Sequence, residues 1–153
     1  MSITFYIGVR NESKGWIEPA ESCDCSRRWC DDCDAAWARD EESPEQYSCE
    51  ICLAEINMGN SNALDLLAWL GLPVDYCGNV PAPELAPVLR RRLWDESRNH
   101  DAAMSGDERA KSLGVEQSPR MITCGRDAGY LRQRCEQLLA TCERAGDRLI
   151  AWA

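Results

Sequence analysis

The sequence predicts an α+β fold: a small sheet made from the two ends of the chain, packed with about three helices, and bearing a cysteine-rich lobe over residues 22–53. Three observations lead there. Both ends read as strands, apolar stripes of helical period lie between them, and one polar stretch is dense in cysteine and acid but follows neither period. At 153 residues the chain has room for a single domain, 1–153, with the lobe inserted into it.

The first element is a strand over residues 2–9 (SITFYIGV), where Ile3, Phe5, Ile7 and Val9 alternate with Thr4, Tyr6 and Gly8. From 11 to 47 the composition turns polar, and no period of 2 or 3.6 offers a face to bury. Residues 57–72 then read as a helix, with Asn60, Ser61 or Asn62 capping its first amides, Leu64, Leu67 and Ala68 as its buried stripe, and Gly71 as its stop. A second helix is expected over 81–98, where Pro83 or Pro87 lies near the first turn and Leu85, Leu89 and Leu93 share one face. Residues 99–119 are polar, hold Gly106 and Gly114, and read as a mobile connection or lid. The third helix is expected from about Asp127 to Ala145, with Leu131, Cys135, Leu138 and Cys142 on one face and Gly146 beyond its end; 148–152 closes the chain as a strand.

Charge divides the chain in two. The formal net charge is −9, and residues 18–55 carry all of it, with twelve acids against Arg27, Arg28 and Arg39. Nucleic-acid binding rests on clustered Lys and Arg that neutralise phosphate, and the basic cluster here is confined to Arg90, Arg91, Arg92 and Arg98, so generic DNA or RNA binding is disfavoured. No apolar run approaches the roughly 20 residues of a membrane span. The opening MSITFYIGVRN has neither a basic leader nor a sustained apolar run, which predicts a cytoplasmic protein whose thiols stay reduced.

In that setting the ten cysteines point first to metal. Cys30 and Cys33 form one CxxC, Cys49 and Cys52 a second, and fifteen residues separate them. A CxxC turn aims two thiolates at one point, and two such turns at this separation close a four-cysteine tetrahedral site suited to a structural Zn2+. The composition argues the same way, because a polar, acidic stretch buries too little apolar surface to offset its chain entropy. A structural zinc contributes roughly 10–16 kcal/mol of apparent binding free energy in small peptide modules. Cys23 and Cys25 are alternate ligands, neighbouring thiols or part of a two-metal cluster. Disulfides and a redox CxxC are the competing readings.

The other four cysteines, Cys77, Cys124, Cys135 and Cys142, read as buried small hydrophobes, with Cys124 the best placed for reactivity because it precedes a helix N-terminus. A weaker constellation is a possible anion or ligand site: Arg126 at the turn into the last helix, Tyr130 behind it, and Asn62 in the first helix. Ordinary capping and solvated arginines explain the same residues. No GxxxxGK[ST], HExxH or GxSxG occurs, and no catalytic constellation emerges, so an enzyme is the less favoured class.

Two patterns, NxxNSNALDLLAWLGL at 57–72 and GRxxGYLxxR from Gly125 running to a terminal WA, resemble a group of small bacterial and phage proteins. They cover about a third of the chain. The resemblance implies no activity, but it separates the cysteine-rich part from the rest. The leading expectation is therefore a zinc-binding interaction protein whose acidic lobe meets a partner protein with a basic surface. The alternative is a binder of small anionic ligands, or an enzyme, using the neutral core.

Overall fold

The structure, a computed structural model, describes residues 2–20, 55–95, 102–112 and 125–153. The fold is α+β, with a small antiparallel sheet and, among the described residues, four helices. In chain order these are β1 (Ser2–Asn11), β2 (Trp16–Pro19), β3 (Ile56–Gly59), α1 (Asn60–Leu70), β4 (Gly78–Pro81), α2 (Ala82–Trp94), α3 (Gly106–Ser112), α4 (Tyr130–Ala145) and β5 (Leu149–Trp152).

The two ends of the chain do share the sheet. β1 pairs with β5 in the register Phe5↔Trp152 to Gly8↔Leu149, and β4 pairs with the far side of β5, giving the order β2-β1-β5-β4. Alternation along β1 puts Ile3, Phe5 and Ile7 on the covered face, where α1 and α4 pack. Trp152 anchors this layer. Its ring lies 6.1 Å from that of Phe5, and its indole N–H donates to the carbonyl of Asp75 at 3.0 Å, which satisfies the polar atom of an otherwise buried side chain.

The other edge of β1 holds two short strands end to end. β2 pairs with Gly8–Asn11 and β3 with Ser2–Phe5, both antiparallel. Since Phe5 and Gly8 also pair with β5, β2 and β3 lie on the same side of β1, opposite β5.

The helical stripes match their expectation in α4 and α2 and differ in α1. Leu131, Cys135, Leu138 and Cys142 are all buried, as are Leu85 and Leu89, with Leu93 partly so. These faces meet, because α2 packs chiefly on α4, and Arg90 and Glu143 pair across the exposed rim at 3.1 Å. In α1 the buried set is Asn62, Ala63, Leu66, Leu67 and Leu70, while Ala68 is exposed. The cap differs too. β3 runs without a break to Gly59, so Gly59 is the N-cap, no side chain caps the helix, and Asn60, Ser61 and Asn62 fall inside the first turn.

α4 begins three residues later than expected. Arg126 is held extended by a two-bond bridge to Met104, and Gly129, at φ 82°, makes the left-handed turn that precedes Tyr130. The stretch read as a mobile connection holds α3 and this bridge at 102–112. Of the scattered cysteines, Cys135 and Cys142 are buried, whereas Cys77 is exposed, lying in the turn between α1 and β4 rather than on an apolar face. Cys124 lies outside the described residues, as do Cys23, Cys25, Cys30, Cys33, Cys49 and Cys52. No described helix is long and apolar enough to cross a membrane.

Candidate functional site

Two of the three expected ligand-site residues come together. The Asn62 side-chain amide donates to the carbonyl of Gly125 at 3.3 Å, which ties the first turn of α1 to the residue before Arg126. Arg126 does not turn toward the start of α4. Its guanidinium reaches back to α1 and pairs with Asp65, one turn beyond Ser61 and Asn62. Tyr130 stands apart from this group, half-buried against the core with the Arg134 guanidinium 5.0 Å from its ring centroid.

A residue absent from the expected site completes the cluster. Arg109, on α3, pairs with the same Asp65 oxygen as Arg126 and donates from Nη2 to the Ser61 carbonyl at 2.7 Å. The two arginine side chains are only 6% and 7% exposed, against 32% for Asp65. Two guanidiniums thus enter the protein to meet one carboxylate at its rim. Burial pushes the Asp65 carboxyl upward, but the hydrogen bonds from Arg109 and Arg126 outweigh it and hold the group below its ordinary value of 3.8. The charged pairs staple α3 to α1, and the Met104 bridge ties the same segment to Arg126.

Close approach at Gly125 is part of this construction. A Cβ there would meet the Met104 carbonyl oxygen at 2.5 Å and the Gly106 nitrogen at 2.9 Å, so the two backbones touch only because the residue is glycine. Asn62 contributes one further feature. With its amide nitrogen committed to Gly125, its Oδ1 is buried and finds no hydrogen-bond partner among the described residues.

The metal ligands expected at Cys30, Cys33, Cys49 and Cys52 lie outside the described residues. Among the described residues no group of three or more His, Cys, Asp or Glu side chains could hold a metal ion. Cys142 is a poor ligand or nucleophile on its own account, since burial first and the nearby Glu143 second push its thiol up to about 12 against a weaker pull from Arg90.

Fold and site together define an α+β protein with a buried two-arginine, one-carboxylate cluster at the junction of α1, α3 and the entry to α4. Comparison of the chain with protein-family profiles, with curated proteins and with solved structures finds no match.

Proposed function

We propose that this is a small cytoplasmic zinc-binding protein that acts as an interaction module, its acidic lobe at 22–53 held together by zinc on Cys30, Cys33, Cys49 and Cys52 and presented to a basic protein surface. The observation that carries this reading is the placement of β2 and β3 on one edge of β1. The chain leaves the sheet after Ala20 and returns at Ile56, so the segment with the paired cysteines, 21–55, with eleven acids against three arginines, departs from and rejoins the scaffold on that one edge. A segment so placed and so polar draws its order from something other than that core, and thiolate–zinc bonds supply it. Carboxylates around the metal then face a partner of opposite sign.

Metal analysis of the purified, reduced protein tests this directly. One zinc per chain is expected, with four thiols becoming reactive on chelation; absence of metal removes the basis of the reading. Replacing Asp40, Glu41 and Glu42 by Asn and Gln is expected to weaken capture of the partner, and unchanged capture counts against the lobe as the contact surface.

One observation favours a second reading, a core that binds anionic ligands. Arg109 and Arg126 are gathered at one place on a single carboxylate, and a phosphate or carboxylate that displaced Asp65 would find two preformed guanidinium forks. ATP or inorganic phosphate should then change hydrogen exchange over 102–112. No change with either returns the cluster to a purely structural role.

A further inference from the structure

The two short strands on the outer edge of β1 follow a common register. Trp16 to Pro19 pair with Asn11 to Gly8, and the Ala20 amide continues the ladder by donating to the Ile7 carbonyl at 2.8 Å. Ile56 to Gly59 pair with Phe5 to Ser2. Between Ile7 and Phe5 a single rung, Tyr6, has no named partner on this edge, and Glu55 is the residue that immediately precedes Ile56.

Facing agrees with register. Successive residues of a strand point to opposite faces, so a slip by one would turn every side chain over. Ala20 packs against the core beside buried Ile7, Ile56 is buried beside Phe5, and Glu55 is exposed. Placed opposite Tyr6, Glu55 continues the alternation of both halves. β1 has ten residues; the four of β2, Ala20, Glu55 and the four of β3 are ten partners for them.

We infer that β2 and β3 are two halves of one edge strand, split by an insertion of residues 21–54 between Ala20 and Glu55, and that the scaffold has its full set of sheet partners without that insertion. The positions of Ile7 and Tyr6 put the two residues that flank the insertion a single strand step, about 3.4 Å, apart. Whatever chemistry resides in 21–54 is thereby separable from the fold: it can be lost, altered or exchanged while β1, β5 and the helices stay in place. This goes beyond the proposed function and stands without it, because neither register nor facing depends on a metal.

The test begins with the full chain. A flexible Gly/Ser stretch of about ten residues added at each junction lengthens the loop only modestly, so the melting temperature should fall by no more than about 3 °C. In a second pair of variants residues 21–54 are removed, with Ala20 joined either directly to Glu55 or through Gly-Ser-Gly. The direct joint is expected to unfold cooperatively and to keep the Phe5, Ile7 and Ile150 amides protected from exchange. A full chain that melts well below the parent on lengthening overturns the inference, as does failure of both shortened chains to fold. Folding of the Gly-Ser-Gly joint alone overturns the single-strand register. Zinc content of the parent decides the proposed function separately, since each of these outcomes is readable with or without metal.

Discussion

Asp65 holds two buried guanidiniums, and removing its charge deprives both of their shared carboxylate. Asp65→Asn is expected to destabilise the protein by about 2–3 kcal/mol, below the usual cost of breaking a fully buried pair because the carboxylate is partly solvated; urea unfolding measures it. In the double variant with Arg109→Leu the losses should be less than additive, the mark of a shared interaction. The pH dependence has a definite sign. Because the folded-state pKa of Asp65 lies below 3.8, its contribution is complete above the unfolded value and disappears as pH falls through the folded one, so stability should drop below about pH 4 and Asp65→Asn should flatten that drop. Thiol reactivity divides just as clearly: at pH 8 Cys77 should be alkylated in the native state, whereas Cys135 and Cys142 should react only on unfolding, as peptide mass mapping will show. Asn62 and Arg126 were legible as candidates from the sequence because they flank helix starts. Asp65 and Arg109 were not, since an acid in a helix and an arginine in a polar stretch carry no local pattern; they are brought together by α3 lying against α1.

At the level of elements, legibility followed the strength of each period. The stripe of α4 was readable because Leu131, Cys135, Leu138 and Cys142 keep one face through about three turns, and both packing surfaces, β1 and α2, lie on that side. In α1 the stripe was misread by one position. Leu67 is buried and Leu64 partly so as expected, but Ala68 is exposed and the face widens on the other side to Ala63, Leu66 and Leu70. α3, with seven residues and the sequence GDERAKS, has too little apolar surface to announce itself; its order comes from Arg109, buried Ala110 and the Met104 bridge. The β4–β5 pair offers a sharp test of strand packing. A Cβ at Gly78 would collide with the Trp152 indole, so Gly78→Ala should cost about 1–3 kcal/mol by overpacking, visible as a lower melting temperature with little change in helical signal.

Across the whole molecule the sequence divides into a neutral part, which supplies most of the described core, and an acidic, cysteine-rich part that carries the net charge. The division was readable from charge and cysteine spacing, but its location in the fold was not, because nothing local tells that residues 19 and 56 lie on one edge of one strand. If zinc orders the acidic part, chelation should lose signal from 22–53 while the cooperative transition of the core survives, and a calorimetric scan with and without chelator separates the two.

The pairing of β1 with β5 has a consequence for how the protein is made. β5 lies between β1 and β4, and Thr4 and Ala153 exchange backbone hydrogen bonds in both directions. One edge of β1 is served by β2 and β3, but its other edge and β4 find their strand partner only when residues 149–152 have been made. Closure of the sheet is in this arrangement governed by contacts of very large sequence separation. A polypeptide released before residue 149 lacks the strand that joins β1 to β4.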